Sequence, residues 1–122
     1  MANENFTVVT TNYVPGSKIT KIMGPTFGIV VRSRGLGGNI VASLRALVGG
    51  EINEYTKMLV DAREHAMGRM IDNAKTLGAN AIVEMRFDSA DLGQNMTEVV
   101  AYGTAVVLQD DSANKAAPVS LR

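Results

Sequence analysis

The chain has one histidine, His65, with Asp61 four residues before it and Glu64 beside it. An imidazole and a carboxylate at i and i+4 share one helix face and could offer a metal ion one nitrogen and one oxygen. The pattern goes no further. H-E-x-x-H is absent, and with no cysteine there is no thiolate to complete a soft-metal set. Metal binding through His65 and Asp61 is therefore an alternative, beside the plainer reading of a solvated i,i+4 pair.

A second chemistry-bearing stretch runs from Arg32 to Asn39. Arg32 and Arg34 precede a glycine-rich turn with Gly37 and Gly38, and Asn39 is a plausible N-cap. Backbone N–H groups at such a turn and helix start favour a small anion. This stretch is not a dinucleotide fingerprint, because Ile40 stands where G-x-G-x-x-G needs glycine, and no P-loop motif occurs. Asp88 and Asp91 read as turn residues, and the seven methionines as core filler. Without G-x-S-x-G or a nucleophile–base pair the chain does not read as an enzyme; carboxylates converging between subunits remain a third alternative. No cofactor is implied.

These groups need a scaffold, and 122 residues supply one domain, with a core from about 6 to 108 and a polar tail over 109–122. A hydrophobic share of 46% and a charged share of 20% belong to a soluble globular protein. Twelve basic residues balance twelve acidic ones, which argues against nucleic acid or an anionic membrane as partner. The polar start and the short apolar runs lack a signal peptide or membrane span, so a cytoplasmic location is expected.

Phe6 to Thr11 reads as a short strand. Lys18 to Arg34 reads as a long strand or hairpin in which Gly24-Pro25 marks a bulge, an edge or a turn. Ile40 to Val48 has helical spacing and is stopped by Gly49-Gly50. The strongest element is a long helix from about Ile52 to Leu77, with Gly78 as its C-cap. Ala81 to Asp88 alternates, placing Ala81, Val83, Met85 and Phe87 on one side and Glu84, Arg86 and Asp88 on the other. A polar loop, Ser89 to Asn95, leads to Met96–Leu108, apolar on both faces as in a strand covered on both sides.

The apolar residues of the long helix spread over roughly 220° at 100° per residue, wider than the stripe of a helix lying on one sheet. A second copy of the chain is the simplest cover, and Tyr55, Leu59, Arg63, Ala66 and Met70 are the expected interface. Arg63, inside that arc, either lays its stem on apolar surface or pairs with a carboxylate such as Glu84 or Glu98 on the same or a neighbouring subunit.

Leu36-Gly-Gly-Asn-Ile40, Tyr55, Ala62-Arg63-Glu64, Leu77-Gly-Ala-Asn-Ala-Ile-Val83, Gly93-Gln-Asn95 and Gly103-Thr-Ala-Val106 occur in fixed order. This ordered set resembles the YbjQ-like family over about residues 6–108. Members frequently have glycine where Glu84 stands and aspartate where Asn80 stands. The resemblance implies a dodecin-like α+β subunit in a homopentameric ring, a heavy-metal-binding label and no established activity. The expectation is an α+β fold, a small twisted sheet on one long and one short helix. Its function is expected to be that of an oligomeric cytoplasmic binding or scaffold protein. A small anionic ligand would lie between subunits near Arg32, Arg34, Gly37, Gly38 and Asn39.

Overall fold

A computed structural model of the chain describes residues 6–33, 53–93 and 95–111, without the side chains of Glu54 and Tyr55. The predicted short helix Ile40–Val48 and the turn residues Arg34, Gly37, Gly38 and Asn39 lie outside the described residues.

The fold is α+β. Strands β1 (Thr7–Val8), β2 (Ser17–Ser33), β3 (Ala81–Gly93) and β4 (Met96–Asp110) form one sheet, and α1 (Asn53–Thr76) packs on one of its faces. The order is β1-β3-β4-β2, with β1 parallel to β3 and the other pairs antiparallel. Of the expected Phe6–Thr11 strand only Thr7–Val8 forms a ladder, but Val9 and Thr11 stay hydrogen-bonded to β3. β2 holds together as one strand through Gly24-Pro25, because proline sits on the edge that no other described strand pairs with and register shifts absorb the irregularity.

α1 ends as the sequence predicts. Gly78 takes φ 90°, its N–H donates to Lys75 O, and Ala79 N–H donates to Ala74 O. These are the two bonds of a Schellman cap, and they satisfy carbonyls the helix leaves open. The buried stripe of α1 is narrow, built from Ala62, Ala66, Met70, Ile71 and Ala74. Ala66 and Met70 are fully buried against the subunit's own sheet, so their expected place in an interface between copies is corrected. Leu59, Val60 and Leu77 remain exposed, which leaves part of the wide apolar arc uncovered.

The alternation read along β3 breaks at one residue. Glu84 has φ 54° and sits in a bulge opposite β4, between the Val83–Thr104 and Arg86–Tyr102 pairs. The extra residue turns the strand over. Ala81 and Val83 therefore pack with Val106 on the face away from α1, whereas Met85 and Phe87 pack beneath α1. The bulge is pinned from outside, since Glu84 N–H donates to Thr11 O and Met85 N–H to Val9 O. A left-handed φ is cheapest for glycine, which is the residue expected here from the family pattern.

Two boundaries also move. Ser89–Asn95 is not a loop: β3 continues to Gly93 and pairs with β4 as far as Met96, so Asp88 and Asp91 are strand residues. β4 runs to Asp110, past the expected end at Leu108, because Gln109 and Asp110 pair with Lys18 and Ser17. Asn80 closes β3 at this same end of the sheet: its amide donates to Leu108 O (3.0 Å) and accepts from Leu108 N–H (2.7 Å). An aspartate carboxylate could only accept at that position.

Candidate functional site

Every second residue of β2 points toward α1, in the series Thr26, Gly28, Val30 and Arg32. Thr26, though polar, is buried, and its hydroxyl donates to Met70 O at 2.9 Å. At Gly28 the helix backbone presses onto the strand, and a Cβ there would meet Ala66 O, Met70 N and the Arg69 side chain. This close approach brings the next residues of the series against the first half of α1.

Arg32 lies near the end of that series. Its Nη2 donates to Asp61 Oδ2 at 2.8 Å and lies 2.5 Å from His65 Nδ1. Asp61 Oδ2 and His65 Nδ1 are themselves 3.9 Å apart. The guanidinium has only donors, so Nδ1 is the accepting nitrogen and the ring proton belongs on Nε2. Arg32 Nε is buried and has no hydrogen-bond partner among the described residues. A buried donor without an acceptor costs roughly 1–3 kcal/mol, and what relieves it is an oxygen lone pair or an anion. Arg32, expected in the anion site, and Asp61 and His65, expected as a metal pair, thus form one cluster. The i,i+4 spacing is visible in the sequence, but nothing there signals that the third member arrives from β2, about thirty residues away along the chain.

The heavy-metal description implied by the resemblance is tested against these donors. Zinc-type sites need imidazole and carboxylate lone pairs converging on an ion at about 2.0–2.2 Å. Here Nη2 of Arg32 reaches both lone-pair atoms, and among the described residues no group of three or more His, Cys, Asp or Glu could hold a metal. The described residues do not fit a metal ion.

A second concavity, about 490 Å³, opens between the first half of α1 and the far end of the β3–β4 hairpin, with Met58, Leu59, Val60 and Arg63 in its lining. Within the subunit Arg63 follows the first of its two readings, lying on apolar surface with its guanidinium over the Phe87 ring, 5.0 Å from the centroid. That cation–π contact is compatible with an apolar wall in a way that a carboxylate partner is not.

The face of the sheet away from α1 carries what the sequence missed. Phe27, Ile29 and Val31 point outward there, beside Val100 and Tyr102 of β4. Phe27 is 53% exposed and Val31 50%, and Tyr102 is exposed as well. β4, expected to be covered on both sides, is covered within the described residues mainly by α1 and, at one end, by Val9 and Val14. The signal was present in Thr26-Phe27-Gly28-Ile29, where the bulky residues occupy one parity and the small ones the other. At the free edge of β2, Arg69 donates to Ile29 O (2.6 Å) and Asn73 to Phe27 O (2.7 Å).

With this geometry in place, the chain was compared with known proteins. A family model described as "Putative heavy-metal-binding" matches residues 6–109. A UPF0145 protein of Thermoplasma volcanium is 64% identical over 110 residues, covering 90% of both chains. A UPF0145 protein of Methanocella arvoryzae is 54% identical over 118 residues, covering 97% of this chain and 98% of the relative. One from a Bradyrhizobium species is 61% identical over 102 residues, covering 84% and 92%. Among solved structures, a protein of unknown function of the DUF74 family from Pediococcus pentosaceus has the same fold. It aligns with a TM-score of 0.63 at 13% identity, over 87% of this chain and all of the other.

Proposed function

Because the chain belongs to the YbjQ-like family, we propose a function that starts from that kinship and from the bare sheet face: a non-catalytic, homo-oligomeric binding protein of the cytoplasm. Copies cover one another's outer sheet face and hold a small anion near the β2 end that carries Arg32. The observation that carries this reading is the inverted size pattern of β2. Bulky Phe27, Ile29 and Val31 point away from the helix, while Thr26 and Gly28 lie under it. Fully burying one such bulky side chain gains roughly 1.5–3 kcal/mol, and about half of that is still unrealised here. Exposed apolar area of this kind, contiguous across two strands, is the mark of a protein–protein surface.

Other features agree with it. Arg69 and Asn73 occupy edge carbonyls of β2, which favours association through the face over strand addition along that stretch of edge. The exposed Leu59 and Val60 supply a second apolar contact on α1. The unpartnered Nε of Arg32 supports an acceptor, hence an anion, as the small ligand. No helix of the described residues is long and apolar enough to cross a membrane.

Native mass spectrometry of freshly purified protein tests the proposal. The expected result is a multiple of the chain mass, five copies by the family resemblance, with a retained small anion. Phe27→Glu combined with Tyr102→Glu should reduce it to single chains that keep their circular dichroism. A wild-type chain that sediments as a monomer at micromolar concentration would overturn the reading.

A further inference from the structure

We infer that the guanidinium of Arg32 is the resident cation of the Asp61–His65 pair, standing where a metal ion would have to bind and latching β2 to α1. The inference goes beyond the oligomeric reading and concerns one subunit alone.

The geometry is that of a bridged site. Asp61 and His65, one helical turn apart, bring a carboxylate oxygen and an imidazole nitrogen within 3.9 Å of each other. A metal ion shared by two such atoms would sit between them, at about 2.0–2.2 Å from each. Nη2 of Arg32 reaches both atoms from β2, in donor contact with Oδ2 at 2.8 Å and Nδ1 at 2.5 Å. The two hydrogens of one guanidinium nitrogen are enough for both acceptors.

Charge and supply of lone pairs point the same way. A dication entering the pair would face the positive charge of the guanidinium. The buried Nε of Arg32 still lacks an acceptor among the described residues, so the cluster they form is short of lone pairs rather than of positive charge. Displacing the side chain would also release β2 from α1 at this point, because Arg32 joins the strand to Asp61 and His65 of the helix. The residues that look most like a metal site in the sequence are therefore saturated by the chain's own cation.

Because the chain has one histidine, long-range proton–nitrogen correlation spectra of the assembled protein report on His65 without ambiguity. The wild-type ring is expected as the Nε2–H tautomer, with Nδ1 accepting, and equimolar Zn²⁺ should leave the Nδ1 resonance unshifted. Arg32→Gln removes the cation and should raise apparent Zn²⁺ affinity at His65 by roughly thirtyfold, the scale of relieving repulsion between a guanidinium and a dication at ~4 Å in a solvated setting. Native mass spectrometry on the same samples gives the copy number, so failure of the oligomeric reading is registered separately. A wild-type Nδ1 that shifts on adding Zn²⁺, a wild-type Nδ1–H tautomer, or an Arg32→Gln protein as silent to Zn²⁺ as wild type would each overturn the inference. If Arg32→Gln fails to fold, the two wild-type measurements decide.

Discussion

The two faces of the sheet are made by the same strands and differ in what those strands turn toward them. Beneath α1 lie Thr26, Gly28, Val30, Val99 and Ala101, small or medium side chains that let the helix backbone come down onto β2. On the opposite face lie Phe27, Ile29, Val31, Val100 and Tyr102; Phe27, Ile29 and Tyr102 are larger than their neighbours Thr26, Gly28 and Ala101, and the two valines match Val30 and Val99. In an isolated subunit the order would ordinarily be reversed, with the largest apolar area buried. Alternation alone reveals the period of a strand but not which parity receives the helix. The parity here is set by how near the helix must come, and Gly28 is the residue that permits it.

The contrast breaks most sharply at Gly28. Gly28→Val puts atoms into the backbone of Ala66 and Met70, with the Arg69 Cβ 2.7 Å from the new Cβ. Backbone cannot move aside as a flexible side chain does, so a loss of about 3 kcal/mol or more is expected, read as a lower urea midpoint. A loss below ~1 kcal/mol would mean that α1 rides higher on the sheet than described.

A middle-sized effect is expected where β3 changes face. Glu84 pays for its left-handed φ with backbone strain, and the turnover of the strand depends on it. Glu84→Gly relieves strain of roughly 1–2 kcal/mol and loses somewhat less to unfolded-chain entropy, so stability should be unchanged or up to about 1 kcal/mol higher. Glu84→Val should lose about 1–2 kcal/mol, because branching at Cβ makes that backbone region worse. Thermal unfolding of the two variants side by side reads the difference. A destabilised Glu84→Gly would show that the carboxylate itself holds the bulge.

The smallest effect belongs to the outer face. At dilutions where the urea midpoint no longer depends on protein concentration, Ile29→Thr should change stability by about 0.5 kcal/mol or less, as surface substitutions do. At higher concentration the same substitution should weaken the concentration dependence itself. A cost of ~2 kcal/mol at high dilution would mean that the face is covered within a single subunit.

Much of the framework was legible. An uninterrupted helical pattern closed by Gly78, and strands bounded by turn residues, are local signals, and the structure keeps them. The bulge at Glu84 was not, because Ala81–Asp88 alternates in sequence either way and a glutamate gives no hint of a positive φ. Ser89–Gly93 has loop composition yet forms a strand, since pairing with β4 supplies the hydrogen bonds that its side chains would have suggested it lacks. Of the candidate site, the Asp61–His65 spacing was visible and its occupant was not. Arg32 comes from β2, and no periodicity reports which strand lies under which turn of a helix. Leu59 stays exposed, but Ala66 and Met70 belong to the narrow inner stripe, which is set by the short side chains beneath it.

The two side chains that cap β2 set a limit on growth. With Arg69 on the Ile29 carbonyl and Asn73 on the Phe27 carbonyl, an incoming strand finds its partners already taken along this stretch. Edge-to-edge stacking has no natural end and leads toward ribbons and fibrils, whereas contacts between faces related by rotation close on themselves after a fixed number of members. A chain that displays this much β-forming apolar surface needs such a stopper to remain a particle of finite size.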